Sequence, residues 1–158
     1  MADYIIRSFE PGDRERVNNF FDRLGPEGKG FFNRGDGNRI GAMQYFDGNS
    51  GEVNCRRFMA VTDDGVMDGY VFLWAMDKKI PWLGLAISET AKGHGLGRRL
   101  LEYAKSYCNE LGKGGILLTT HVANLRGQQL YENVGFERLG ANNCYTEVQY
   151  LYTFPEDK

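Results

Sequence analysis

The chain has 158 residues, 42% of them hydrophobic and 25% charged, with a formal net charge of −2. That length suits one domain over 1–158 able to bury a real core. The charge offers no basic excess for nucleic acid, so nucleic-acid binding is not expected.

At the N-terminus, Asp3, Arg7 and Glu10 stand where a signal peptide needs an apolar stretch. Tyr4-Ile5-Ile6-Arg7 reads as a first strand, and Pro11-Gly12-Asp13 as a helix start with Asp13 as N-cap. Val17, Phe20, Phe21 and Leu24 recur at helical spacing, so that helix buries one face. From Gly25 to Gly51 the periodicity dissolves into Gly, Asn, Asp and Ser, yet Phe31, Phe32, Met43, Tyr45 and Phe46 are interleaved. A short helix that tucks aromatics onto the core is one reading, and a pocket wall is the other; the two are compatible. Residues 55–62 and 66–76 read as strands joined at Asp64-Gly65, a strong hairpin signal. The run from Tyr70 to Met76 is the longest apolar stretch, far short of the ~20 residues that span a membrane. A further strand, 80–87, completes an antiparallel meander.

After Ile87 comes Lys92-Gly93-His94-Gly95-Leu96-Gly97, and a helix follows with Leu96, Leu100, Ala104, Cys108 and Leu111 on one stripe. Cys108 is therefore expected as a packed thiol. With Cys55 and Cys144 it makes an odd set of cysteines without metal spacing, as reduced thiols in a cytoplasmic protein would be. Residues 115–121 form a short apolar strand, so strand, helix and strand make a right-handed parallel crossover. A last helix over 124–133 stops at Gly135. Strands 136–139 and 144–154 close the chain as a hairpin, with Thr146, Val148, Tyr150, Tyr152 and Phe154 on one face. The sum is an α/β protein with a mixed sheet.

A strand that ends in a glycine-rich loop and opens a helix is a place to hold phosphate. Glycines let backbone N–H groups approach an anion, and the helix start adds unpaired N–H groups and a positive dipole end. Arg98 and Arg99 bring cations where the helix dipole alone favours acids, which implies an anionic partner. A Walker loop would need Lys-Ser or Lys-Thr after its last glycine, but Arg98 follows Gly97. A dinucleotide fingerprint would need its third glycine at Arg98 and an acid after the next strand, which instead ends Thr119-Thr120-His121.

The stretch 92–97 resembles the (Arg/Gln)-x-x-Gly-x-(Gly/Ala) loop of the GNAT N-acetyltransferase superfamily. Residues 121–140 resemble the family's Asn-x-x-Ala-x-x-x-Tyr-x-x-x-Gly-Phe helix through Asn124, Tyr131, Gly135 and Phe136. Lys92 stands where the family has Arg or Gln, and Gly127 where it has Ala. The two motifs cover about the last half of the chain.

The resemblance implies a GNAT-like acyl-coenzyme A N-acyltransferase fold: about seven strands flanked by about four helices, antiparallel except for one parallel pair in the middle. It implies acetyl transfer from acetyl-coenzyme A to a primary amine of a small molecule or peptide, with no metal, by a monomer or homodimer. The two parallel strands would splay, and backbone groups of Leu85, Ala86 and Ile87 would pair with pantetheine. The pyrophosphate would rest on Lys92, Gly93, His94, Gly95, Leu96, Gly97 and Arg98. Asn124 would bond the cofactor chain or serve as a plain N-cap. Tyr131 would donate a proton to the departing thiolate, since a phenol of pKa about 10 can serve a thiol near ~8.5. No acid lies in 80–87, and nothing selects a base among Glu52, Asp68, Glu89 and His121. The alternative is a non-catalytic acyl-coenzyme A binding or sensing module.

Overall fold

Seven strands form one sheet in the order β1-β2-β3-β4-β5-β7-β6 in a computed structural model that describes residues 3–48, 53–142 and 144–155. The strands are β1 (Tyr4–Ser8), β2 (Arg56–Thr62), β3 (Met67–Trp74), β4 (Trp82–Ile87), β5 (Gly115–His121), β6 (Glu137–Asn142) and β7 (Glu147–Thr153). All neighbours run antiparallel except β4 and β5. The helices are α1 (Arg14–Asp22), α2 (Gly37–Gln44), α3 (Leu96–Glu110) and α4 (Leu125–Asn133). This is the mixed fold expected from the two motifs.

Helices cover both faces of the sheet, so its central strands are apolar without a break rather than alternating. Along β2, Phe58 and Ala60 join a cluster with Leu100, Leu101, Ala104 and Cys108 of α3. Met59 and Val61 point the other way, into a cluster with Val17, Phe20 and Phe21 of α1 and Ala42 of α2. The α1 stripe is fully buried, and each such side chain contributes roughly 1.5–3 kcal/mol. The α3 stripe ends one turn earlier than its spacing predicts. Leu111 follows the last helical residue and is 54% exposed. Gly112, at φ 74°, then takes the left-handed turn that ends the helix.

Asp13 holds the expected N-cap position of α1, but its side chain makes no cap bond to the helix. A single 3₁₀ turn, Pro11–Asp13, precedes α1, so Asp13 caps backward: its carboxylate accepts from the Glu10 amide at 2.8 Å. Arg7 reaches it at 2.7 and 2.9 Å and Arg16 at 2.8 Å. Strand boundaries also shift. β3 stops at Trp74, before Ala75 at φ 56°, and β4 starts only after Pro81, which has no N–H to donate. β6 continues through a bulge at Gly140 to Asn142, and β7 begins at Glu147. The closing hairpin is folded so that β7, not β6, pairs with β5.

Candidate active site

The parallel pair opens almost at once. Trp82 is opposite Leu117, and Leu117 N donates to Pro81 O at 2.9 Å; beyond this point the described residues of β4 and β5 form no further ladder pair. Toward Ile87 and His121 the strands therefore leave a gap. Residues 25–44 cross it on one side. A single π turn, Gly28–Phe32, packs against both β4 and β5. Phe31 stacks on His121 at 4.8 Å, while Phe32 stacks on Phe21 at 6.3 Å. Phe32, Tyr45 and Phe46, with Met43, pack on the core, and Phe31 and Phe32 also wall the gap.

Two cavities meet there. The first, about 440 Å³, is lined by Leu85, Ala86 and Ile87 of β4 and by Lys92, Gly93, Gly95, Leu96, Gly97 and Arg98 of the loop. Gly93 and Gly95 sit at φ 82° and 83°, left-handed conformations that glycine adopts without strain. The first bond of α3 runs from Arg99 N to Gly95 O, so the amides of Leu96, Gly97 and Arg98 precede the helical ladder and remain for an anion. Gly97 serves packing: a Cβ there would come within 2.9 Å of Leu130 on α4. One loop member does not join the site. His94 is exposed and absent from the cavity lining, because the left-handed glycines on either side turn its side chain outward. Lys92 lines the cavity while ion-paired to Glu89 at 3.2 Å and to Glu27 at 3.8 Å.

The second cavity, about 450 Å³, lies on the far side of the seam, lined by Phe72, Trp74, Gly84, Thr119, Arg57 and Glu147, among others. Phe72 and Trp74 of β3 stack at 5.2 Å and make its aromatic floor, with the buried Tyr70 stacked on Phe72 at 4.9 Å. Leu85, Asn124, Tyr131, Phe31 and Phe32 border both cavities.

Asn124 is an N-cap. Its Oδ1 accepts from Gly127 N at 3.1 Å, and its Nδ2 donates to Thr120 Oγ1 at 3.0 Å. This fold of the side chain accounts for Gly127, because a Cβ there would lie 2.5 Å from Asn124 Nδ2. One amide hydrogen and one lone pair of Asn124 remain for a ligand. Tyr131 packs against Phe136 and Tyr150 in the core yet lines both cavities. Burial, with Tyr150 adding to it, pushes its phenol well above the ordinary range, so the hydroxyl keeps its proton at any working pH. Burial likewise pushes the Cys108 thiol up to about 11, which fits a packing residue.

Of the candidate bases, Asp68 is held by Tyr4, Ser88 and Arg23, and Glu89 pairs with Lys92. His121 accepts from Ala123 N through Nδ1. Glu52 lies outside the described residues. Glu27 and Glu147 line the site from outside both motifs, brought there by non-local packing, and Arg126 lines it from an unspecified position within the second motif.

The described residues contain no cluster of His, Cys, Asp and Glu able to hold a metal and no helix long and apolar enough to cross a membrane. Among solved structures, the ribosomal-protein-S5-alanine acetyltransferase of Vibrio fischeri superposes with a TM-score of 0.79 at 12% identity, covering 100% of this chain and 97% of that one. A spermidine N-acetyltransferase chimera from Vibrio cholerae gives 0.75 at 21%, covering 97% and 96%. A GCN5-related N-acetyltransferase from Kribbella flavida gives 0.76 at 17%, covering 96% and 98%. No curated protein matches the chain. At these identities the likeness speaks for the fold alone. The profile of the acetyltransferase (GNAT) family, however, matches residues 4–136, which span the glycine loop, the opened seam and α4, and on that match the chain belongs to the GNAT acetyltransferase family.

Proposed function

We propose that this chain, acting as one domain over 1–158, is an N-acetyltransferase that uses acetyl-coenzyme A and a primary amine of a small molecule or peptide in a ternary complex. The observation that carries the reading is the meeting of two cavities at Tyr131 across the seam between β4 and β5. One cavity has the anion-binding loop and an open strand edge; the other offers a separate approach for an acceptor. The residues present suit the coenzyme: the amides of Leu96, Gly97 and Arg98 would hold the pyrophosphate, and the unpaired edge at 85–87 would hold the pantetheine amides as an added strand does. When bound, acetyl-coenzyme A supplies the activated acetyl thioester.

The protein's own part is positioning and proton control. Tyr131 holds a proton on Oη where the two cavities meet, ready for the departing thiolate. Its raised pKa makes it a weaker acid than a free phenol, but a buried thiolate is also a stronger base than a solvated one. The phenol thus acts as a donor matched to its buried partner. Asn124 keeps β5 and α4 at fixed spacing beside it.

Amine-dependent thiol release from acetyl-coenzyme A, followed over a panel of alkylamines, amino-acid amides and peptides, tests the reading. Release with at least one amine is expected. A protein that binds the coenzyme but acetylates none of them is a binding module instead. Acetyl-coenzyme A at about 100 times its Kd should also stabilise the fold by roughly 2.7 kcal/mol, which NAD and ATP should not match.

A further inference from the structure

The second cavity has one carboxylate among its described lining residues, Glu147. It is the first residue of β7, placed opposite His121 of β5 and opposite Asn142 of β6. Its neighbour Val148 faces the α3 cluster, so alternation along the strand turns Glu147 to the opposite face, where the aromatic floor lies. Glu147 is half-buried, and among the described residues its carboxylate makes no hydrogen bond or ion pair. Among the described residues, the other carboxylates near the site are engaged: Asp68 with Tyr4, Ser88 and Arg23, and Glu27 and Glu89 with Lys92. A carboxylate with no partner among the described residues, turned into a cavity that ends at Tyr131, is placed to receive a cation.

Resting on the acetyltransferase reading above, we propose that Glu147 binds the acceptor as an ammonium ion and takes its first proton. An alkylamine of pKa near ~10 is almost wholly protonated at neutral pH and has no lone pair to attack with. Transfer of one proton from the ammonium to a Glu147 carboxylate oxygen frees that lone pair. The amine nitrogen then bonds to the acetyl carbon as the carbon–sulfur bond breaks. The thiolate takes a proton from Tyr131 Oη, and the second N–H proton lost by the new amide replaces it. Glu147 returns the first proton to solvent, so the sum is one ammonium and one thioester giving one amide, one thiol and one proton. The other titratable groups facing this cavity are Arg57, which donates to Tyr70 Oη at 2.6 Å and lies over Phe72, together with Cys55 and Tyr131; His121 lies beside Glu147 on β5.

The test is Glu147→Gln, which keeps shape and removes the charge, with the best acceptor found for the wild type. Loss of about 100-fold or more in kcat/KM is expected, as for removal of a general base. Acetyl-coenzyme A affinity and thermal midpoint should stay unchanged. Calorimetry with coenzyme A present should show weaker binding of the amine itself. The variant's rate should climb with pH up to the amine's own pKa, where solvent has done the deprotonation, while the wild type levels off earlier. A loss under about threefold, or an unaltered pH profile, overturns the role of Glu147 and leaves the acetyltransferase reading standing. Loss of coenzyme affinity in step with activity overturns it too, as a structural role. Should the variant not fold, Glu147→Asp decides: a retained but misplaced carboxylate predicts about tenfold loss with a wild-type pH profile, and full activity refutes the assignment. A wild type that acetylates no amine removes both proposals.

Discussion

Gly84→Ala is the sharpest probe of the second cavity, because the structure dictates what one methyl group must displace. Gly84 pairs with Phe72, whose ring lies across it; an added Cβ would come within 2.5 Å of Phe72 Cζ. Ordinary carbon contacts begin at about 3.5 Å, so the ring must move by roughly 1 Å. It cannot slide along its stack, held between Tyr70 at 4.9 Å and Trp74 at 5.2 Å, and Arg57 sits over its face at 5.6 Å. The remaining path is into the cavity. Overpacking of this kind costs about 1–3 kcal/mol. For a domain of this size that lowers the thermal midpoint by roughly 2–12 °C. Gly84 lines the second cavity and not the first, so the acceptor KM should rise while acetyl-coenzyme A affinity stays constant. Thermal melts, coenzyme calorimetry and acceptor kinetics read the three quantities separately. An unchanged midpoint with an unchanged acceptor KM would refute the argument, and a fall in coenzyme affinity would show that the two cavities are not independent.

Tyr131→Phe keeps the ring against Phe136 and Tyr150 and removes only the hydroxyl proposed as proton donor; kcat should fall about 10²- to 10⁴-fold with coenzyme affinity intact, and single-turnover kinetics check it. Gly127→Ala should gain up to about 1 kcal/mol of helix propensity and lose about as much by pushing Asn124 off its cap, so calorimetric stability should stay near wild type while turnover changes. Asp13→Asn probes acid stability: burial opposes the charge of Asp13, but bonds from Arg7, the Glu10 amide and Arg16 outweigh it and hold the carboxyl below its ordinary range. A lowered folded pKa gives stability that is full above the unfolded value of about 3.9 and is lost as pH falls through the folded one. The difference in melting temperature between wild type and Asp13→Asn should therefore be largest near neutral pH and shrink in acid.

The first cavity was legible in the sequence because its parts are local. A strand, a left-handed glycine turn and a helix start are consecutive from Leu85 to Arg98, and Asn124 and Tyr131 share one helix or its cap. The second cavity was not legible, because its parts meet only through register. Glu147 reaches the cavity because β7 inserts between β5 and β6, a pairing that no spacing in the sequence announces. Asp13 shows the same limit at short range: the sequence offers a cap residue, but the 3₁₀ turn decides which amide it caps. Gly127 looked like a departure from a motif until the folded Asn124 side chain supplied its cause.

The inserted strand also orders the assembly of the chain. β1 to β4 pair with neighbours in sequence or close to it and form an antiparallel half-sheet from the first 87 residues. β5 has no such early partner, since its ladder with β4 is a single pair and its other edge belongs to β7, which ends at Thr153. During synthesis the second half of the sheet must wait for the last strand to leave the ribosome, at about 5–20 residues per second. Until then β5, an apolar strand with two open edges, is the segment most exposed to mispairing with another nascent chain. Truncation before Glu147 would make that transient state permanent.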